Sequence, residues 1–432
     1  MDLMEKVTSL CKRRGFVFQG SEIYGGFGGF WDFGPLGVAV KNNLKNLWWK
    51  YFVTVREDVF GLDSAIIMNP KVWEASGHTG SGFADPLREC RKCHHRHRQD
   101  DLVEDKCPDC GGELTEEKKF NILVKTYIGP VEDQSCLTYL RGETAQAIFV
   151  NFQNILDTFH PRLPFGIAQI GKAFRNEITP GKFLFRSREF EQMELEYFVK
   201  PAEDQKQFSQ WKDYCLKFLQ VLGYKKENLR LFDHLKEKLS HYSKGTTDIE
   251  YNFPFGWAEL WGIARRADFD LTQHAKFSGK KLLYQDLVTN EMISPYVIEP
   301  SVGVDRLFMS LLLDAYTEEG KRTFLKLSPL ISPYNMAVFP LVANKEELVK
   351  TAREIYLNLK KHFSASWDDR GNIGKRYCAQ DEIGTPWCVT IDYATLEDGT
   401  VTVRDRDTTK QERVKADNLE KYFKDKLKER IL

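Results

Sequence analysis

"FRNEITPGKFLFRSREFEQMELEYF", residues 174–198, carries three arginines and five glutamates among its 25 residues, interleaved with aromatics. Stretches this charged are usually solvated helix faces. Here Pro180-Gly181 stands between two runs that alternate as strands do. The spacing predicts strands over 167–172 and 185–199, joined by a turn. Residues two apart share a face of a strand. Arg175 and Glu177 therefore point one way from the first strand, and Arg186, Arg188, Phe190, Gln192 and Glu194 share a face of the second. Cations at one end, an aromatic in the middle and a carboxylate at the far end suit a ligand with phosphate, flat-ring and ammonium parts. A solvent-exposed hairpin laced by cross-strand salt bridges would use the same residues, and this stretch alone leaves both readings open.

A second run shifts the balance. "YVIEPSVGVDRLFMSLLLDAY" (296–316) reads strand, glycine, helix, with Glu299 and Ser301 alternating before Gly303 and Arg306 in the first helical turn. A cation there opposes the helix dipole and costs about a few tenths of a kcal/mol unless an anion lies nearby. Phosphate is the better candidate for that anion.

At 432 residues the chain can hold two or three domains, each with its own core. Its 42% hydrophobic and 29% charged residues describe an ordinary globular protein. No apolar run approaches the roughly 20 residues a membrane span needs, and the first residues carry no secretory pattern, so a cytoplasmic protein without a membrane partner is expected. Lys plus Arg equals Asp plus Glu at 62 each, so any basic surface must be local; Arg91–Arg98 and Lys415–Arg430 are the two clusters.

Pro35 precedes apolar residues at helical spacing (Val40, Leu44, Leu47, Trp48, Tyr51, Val55), followed by an extended run, 64–68, that ends at Pro70. Residues 76–118 read as a charged loop holding Cys90-x-x-Cys93 and Cys107-x-x-Cys110, the spacing of a four-cysteine zinc ribbon. With four thiolates completing such a site, His94, His95 and His97 read as exposed basic residues. The other five cysteines read as buried small hydrophobes. Residues 203–243 read as two amphipathic helices. "SPLISPY" (328–334) marks a junction, after which strand 336–342, helix 345–362, a strand near Ser366, helix 373–382, strand 387–393, strand 400–406 and a charged terminal helix suggest a smaller α/β domain.

Together the Pro70-terminated helix and strand, "FRNE…REFEQMELE" and "GVDR" resemble the three signature motifs of class II aminoacyl-tRNA synthetases. "LRGETAQAIF" (140–149), "WAELWGIARRADFDL" (257–271), "EPSVGVDR" (299–306) and "DEIGTPWCVTID" (381–392) are similar to the dimeric glycyl-tRNA synthetase family, in the right order and over nearly the whole chain. The resemblance implies an α/β (α+β) fold: a catalytic domain over 1–330 with an antiparallel sheet flanked by helices, a cysteine-rich insertion at 76–118, a helical insertion at 203–247, and an anticodon-binding domain over 331–432. It implies a homodimer that joins glycine to tRNA-Gly with ATP and Mg²⁺, and the cysteines add a structural Zn²⁺.

It also implies roles. Arg175 would hold the ATP α-phosphate, Asn176 and Glu177 the adenine side, and Phe190 would stack under the ring with Phe185 nearby. Arg306 and Arg186 would grip the pyrophosphate end, with Glu259, Leu260 and Gly303 lining the nucleotide. Glycine would be read by Glu143, Gln192, Glu194, Glu299, Ser301, Phe190 and Gly303, with Arg98 closing over the substrate. Arg175, Arg306 and Glu143 would carry catalysis, and Cys90, Cys93, Cys107 and Cys110 the metal. A synthetase-like protein without catalysis would have lost Arg175, Arg306 or the glutamates, and all are present. The sequence departs from the family at Gly142, where proline is usual, at Ala147 and Ala258 in place of glycines, at Ala267 in place of threonine, and in the Gly181-Lys182 loop.

Overall fold

The computed structural model describes residues 1–80, 83–99, 102–235, 243–286 and 288–428. Helix α1 (Leu3–Arg14) opens on an Asp2 capping box and closes on left-handed Gly15. Helix α2 (Pro35–Trp49) starts with proline in its first turn and runs on into a wider turn, Lys50–Thr54. A side chain at Gly37 would collide with the carbonyl of Phe16, so α2 can lie against the segment after α1 only with glycine there.

The strand expected over 64–68 is displaced. Strand β1 (Val59–Gly61) forms instead, parallel to the later strand that begins at Phe165. Ile67 makes only an isolated bridge to Leu140, and the run leads into the Asn69 cap of a short helix, Pro70–Ala75. The cysteine region is not a loop. Strands β2 (Ala84–Glu89), β3 (Arg96–Arg98) and β4 (Lys118–Asn121) form an antiparallel sheet in the order β3-β2-β4.

Helix α3 (Ala145–Phe159) precedes β5 (Phe165–Phe174) and β6 (Glu189–Val199). β6 starts later than expected, because Phe183–Phe185 is a single helical turn entered through left-handed Lys182 and Phe183. Helix α4 (Asp204–Leu222) forms as expected, but Leu229–Asp233 is a strand, β7, where a second helix was expected. Pairing with β8 (Gly245–Phe253), including an Arg230–Glu250 ion pair, outweighs the helical spacing. The rest of that expected helix, residues 236–242, lies outside the described residues. Strand β9 (Gly256–Ala267), helix α5 (Phe269–Ser278), strand β10 (Tyr296–Gly303) and helix α6 (Val304–Ala315) complete the domain. The seven-stranded sheet has the order β7-β8-β9-β10-β6-β5-β1, antiparallel throughout except at β1.

Period-two alternation assigns the two faces of that sheet. Met193, Leu195 and Tyr197 of β6 point into a core shared with α1, α2, α4 and α6. Phe198 points the other way, into a second core with α3 and α5. Phe190, Gln192 and Glu194 of that second face line a cavity instead, and Glu196 is buried behind it.

One buried cation fastens the first face. Lys41 of α2 is 5% exposed and places its Nζ 2.8 Å from Glu191 Oε2 on β6 and 2.8 Å from Asp305 Oδ1 on α6, over the Phe33 ring. The second oxygen of Asp305 accepts the Glu191 N–H at 2.7 Å. Burial alone would lower the Lys41 pKa; Asp305 and Glu191 outweigh it and raise it.

After a hairpin (Tyr316–Glu319, Arg322–Leu325) come β11 (Met336–Pro340), α7 (Glu346–Leu359), β12 (Ala365–Trp367), α8 (Ile373–Ile383), β13 (Trp387–Ile391), β14 (Thr400–Asp405), β15 (Gln411–Lys415) and α9 (Leu419–Lys428). The sheet order is β12-β11-β13-β14-β15, with β11 parallel to both neighbours. The chain after β13 turns into a short helix, Tyr393–Asp398, and β15 was not expected from the sequence. This unit has its own core. It meets the first through α8: Asp381, 1% exposed, accepts from Arg322 and Arg404 at 2.8 Å each, and Glu382 pairs with Arg13 and Arg14 of α1.

Replacing Lys41 by Met leaves Asp305 buried without its counter-charge and Glu191 with only the more exposed Lys45. Urea denaturation should show the first domain destabilised by roughly 3–5 kcal/mol, whereas Lys45→Met, removing the more exposed neighbour of Glu191, should cost about 1 kcal/mol or less.

Candidate active site

The second face of the sheet opens into a cavity of about 530 Å³. β6 supplies Phe190, Gln192 and Glu194, and the connection between β5 and β6 supplies Glu177, Phe185 and Arg186. β10 gives Glu299, Ser301 and Gly303, and α6 gives Arg306. Glu259 comes from β9, Glu143 from the turn before α3, Arg175 from the end of β5, and Arg98 from β3 of the cysteine sheet. Residues from opposite ends of the first domain's sequence thus meet in one wall. Two expected members stand elsewhere. Leu260, one residue from Glu259 on a strand, points to the opposite face and is buried in the core. Asn176 is not in the wall; its N–H donates to the Ile122 carbonyl at 2.7 Å.

One end of the cavity is acidic and closed. Glu194 is 2% exposed; one oxygen accepts the Thr144 N–H at 2.7 Å and the Thr144 hydroxyl, the other accepts from Ser301 Oγ at 2.6 Å and Gln192 Nε2 at 3.0 Å. Four donors hold this carboxylate in place. Arg266 donates to Glu299 at 2.7 Å and grips both oxygens of Asp270. Gln146 bridges Asp270 to Glu143 at 3.1 and 3.0 Å, and takes its orientation from His274. His78 Nε2 lies 3.3 Å from Glu143 on the other side. Burial pushes Glu299 up to about 8, against the pull of Arg266 and with the help of Glu194 and Glu143. Glu143 goes the opposite way: burial would raise it, but His78 and Arg266 hold it well below the usual carboxylate range. Behind them Glu196 is fully buried, and neither of its oxygens has a hydrogen-bond partner among the described residues. Burial, then the facing Glu299, push its pKa well up.

The middle is aromatic. Arg175 donates to the Gly142 carbonyl at 3.0 Å, and its guanidinium lies between the Phe83 and Phe190 rings, 5.4 and 5.5 Å from their centroids. Phe83 explains Gly142: a Cβ there would come within 2.9 Å of the Phe83 ring. The far end is basic and open. Arg306 stacks on Phe185 at 4.4 Å and pairs with Glu259 at 3.1 Å. Asp248, raised to about 6 by burial and by Glu259, meets His234 at 2.7 Å.

Sequence reasoning missed His78, Gln146, Asp248, Arg266 and Asp270. The signal for the last pair was present in "RRADFD", where a cation and a carboxylate four apart can meet across a strand-to-helix turn. Nothing local marked His78.

The cysteines converge as their spacing implied: all four Sγ atoms lie within 4.8 Å of one another, with Cys90–Cys110 at 3.5 Å and Cys93–Cys107 at 3.7 Å. Backbone N–H groups, chiefly that of Cys93, hold the Cys90 thiol down to about 6. His94 and His95 are exposed as expected, but His97 is not: it is 8% exposed, with Nε2 3.5 Å from Cys107 Sγ. Of the other cysteines Cys11, Cys215 and Cys388 are buried as expected, while Cys136 is half-buried and Cys378 is exposed.

Residues 131–316 match the model of the tRNA synthetase class II core domain (G, H, P, S and T), and residues 335–426 match that of the anticodon binding domain. A solved Giardia lamblia prolyl-tRNA synthetase in complex with prolyl-adenylate superposes at a TM-score of 0.73, over 99% of this chain and 79% of that one, at 17% identity. The fold is that of a class II aminoacyl-tRNA synthetase. Glycine–tRNA ligases from Caldanaerobacter subterraneus subsp. tengcongensis and Alkaliphilus oremlandii are 52% and 51% identical, each over 98% of both chains, and that of Clostridium acetobutylicum is 52% identical over 98% of this chain and 99% of its own. The chain belongs to the glycine–tRNA ligase family.

Because the folded state holds its proton on Glu299 more tightly than the unfolded chain does, this group stabilises below about pH 4.5 and the contribution is lost as pH rises to about 8. The melting temperature should therefore fall across that window, by at most about 1.4 kcal/mol per pH unit per proton in free-energy terms. Glu299→Gln should make the decline shallower; Glu143 lies outside the window, because its pKa is lowered.

Proposed function

We propose that the cavity carries out both half-reactions of glycine–tRNA ligation. The glycine carboxylate attacks the α-phosphorus of ATP, pyrophosphate leaves, and glycyl-adenylate forms. The 3′-terminal ribose hydroxyl of tRNA-Gly then attacks the glycyl carbonyl and AMP leaves. The observation that carries this reading is the polarity of one cavity, closed and acidic at one end, aromatic in the middle, open and basic at the other.

At the acidic end Glu143, Glu194, Glu299 and Ser301 receive the ammonium, with Gln192 orienting Glu194. Glycine offers no side chain, so recognition rests on charge and on the lack of room for anything larger; rejecting a larger competitor by overlap needs no editing site. Phe190 supports the adenine, near Glu177. Arg175 and Arg98 hold the α-phosphate and carboxylate side, and Arg306 and Arg186 hold the pyrophosphate side. No protein nucleophile is required, because orientation and charge stabilisation supply the acceleration.

Mg²⁺ fits the carboxylates of Asp248 and Glu259. Both line the cavity, Glu259 pairs with Arg306 at 3.1 Å, and an oxygen of each lies near Gly262, 3.6 and 3.7 Å from where a Cβ would stand there. When bound, the ion would neutralise developing charge on the triphosphate. Zn²⁺ fits Cys90, Cys93, Cys107 and Cys110: tetrahedral thiolates at about 2.3 Å from zinc stand about 3.8 Å apart, close to the two separations given above.

On this reading 1–330 is the catalytic domain, with insertions at 76–118 and 203–247, and 331–432 reads the anticodon. The family match over 335–426 supports the second assignment. The enzyme works as a cytoplasmic homodimer; the exposed Ile23, Tyr24 and Phe27 before α2 support a partner chain there. Among the described residues no helix is long and apolar enough to cross a membrane.

Pyrophosphate exchange into ATP, measured with each amino acid in turn without tRNA, should occur with glycine alone. Arg175→Ala and Arg306→Ala should each lower kcat/KM by about 10²–10³-fold with the melting temperature kept. Exchange with a different amino acid would overturn the assignment.

A further inference from the structure

The sheet that carries the cysteines also carries part of the substrate cavity. Within three residues, β3 presents Arg96 to solvent, His97 to Cys107 Sγ at 3.5 Å, and Arg98 to the cavity. Arg98 pairs with Asp85 of β2 at 3.1 Å. Just before β2, Phe83 lies over Arg175 and also packs on His78, ring centroids 4.3 Å apart, and His78 is the residue beside Glu143. The backbone is tied in the same way: the Cys90 N–H donates to the His95 carbonyl at 2.8 Å, and the Arg91 N–H to the Glu113 carbonyl at 2.8 Å.

What holds this sheet together is small. Its buried cluster is Cys90, Cys107 and Leu114, with Cys93, Leu102 and Cys110 partly buried around it. Four of these six residues are the cysteines. A unit with so little apolar surface cannot offset its own chain entropy, and metal–thiolate bonds are what remains to order it.

We propose that the cysteine sheet is a metal-dependent positioning device for the substrate site, in which bound Zn²⁺ holds β2 and β3 so that Arg98 and Phe83 stand in the cavity. Arg98 makes the contact with the anionic part of the adenylate; His97, Asp85 and Phe83 act through it or through Arg175. The proposal rests on the zinc and ligase readings above. Stripping the metal loosens β2 and β3, withdraws Arg98 and leaves the seven-stranded sheet folded on its own cores.

The test uses the full chain, a zinc-selective chelator and a non-reactive sulfamoyl analogue of glycyl-adenylate. Metal content by atomic emission should be one equivalent per chain. Stripping should weaken analogue binding by calorimetry about ten- to a hundredfold, the size expected for one charged hydrogen-bonding group, with the main melting transition retained and affinity restored by Zn²⁺. Arg98→Ala should lose the same factor with zinc still bound, and stripping Arg98→Ala should add nothing. Asp85→Asn, which leaves the cysteines untouched, should keep zinc and lose part of the affinity. Full affinity after stripping, losses that add, or collapse of the whole chain on stripping would each overturn the coupling. A chain that never holds zinc overturns the metal reading itself, and a chain that holds zinc but binds no analogue overturns the ligase reading.

Discussion

One ammonium between two carboxylates joins the parts of the first domain. Lys41 belongs to the helix that packs beneath the sheet, Glu191 to the central strand, and Asp305 to the helix that follows the neighbouring strand. Asp305 lies 264 residues along the chain from Lys41 and 114 from Glu191, yet all three side chains are largely out of water. Charges so buried are tolerated only when every lone pair has a partner, and here the second Asp305 oxygen takes the strand's own N–H. The consequence reaches the other side of the sheet. Asp305 precedes Arg306, and Glu191 follows Phe190, so the contact that closes the core also fixes the backbone presenting the basic end and the aromatic middle of the cavity.

The cavity divides its electrostatics between rigid and responsive groups. Glu194 is held in place by four donors and cannot reorient without leaving them unpaired. Glu299 and Glu196 are different: they face each other across adjacent strands with one arginine between many carboxylates, and burial favours their neutral forms. An incoming ammonium would supply the missing positive charge. On the reading proposed above, such a site favours a small cation over a neutral molecule of the same size.

Much of this was legible in the residues. Alternation of charged and apolar side chains placed β6 with its two faces and the cavity side of β10, because period two is a strong signal when one face is a core and the other a charged cleft. It failed just before β6, where Ser187 lines the cavity and Arg188 turns to the carbonyls of Glu177 and Gly28. The paired cysteines announced their cluster. The misses share a cause: local spacing was overruled by pairing partners distant in sequence. The three-residue β1 has no signal of its own and exists because β5 offers an edge. Leu229–Asp233 has helical spacing but lies beside β8. Leu260 was assigned to the nucleotide by its neighbour, whereas strand geometry sends adjacent residues to opposite faces. Arg266, Asp270 and Gln146 do their work through one another, and nothing in the chain order says that they meet.

The close approach of Phe83 to Gly142 couples two positions distant in sequence. A Cβ at 142 would come 2.9 Å from the end of the Phe83 ring, so any larger residue there requires that ring to shift. A change at 142 is therefore felt first at Phe83 and, through that ring, at the Arg175 guanidinium 5.4 Å from its centroid.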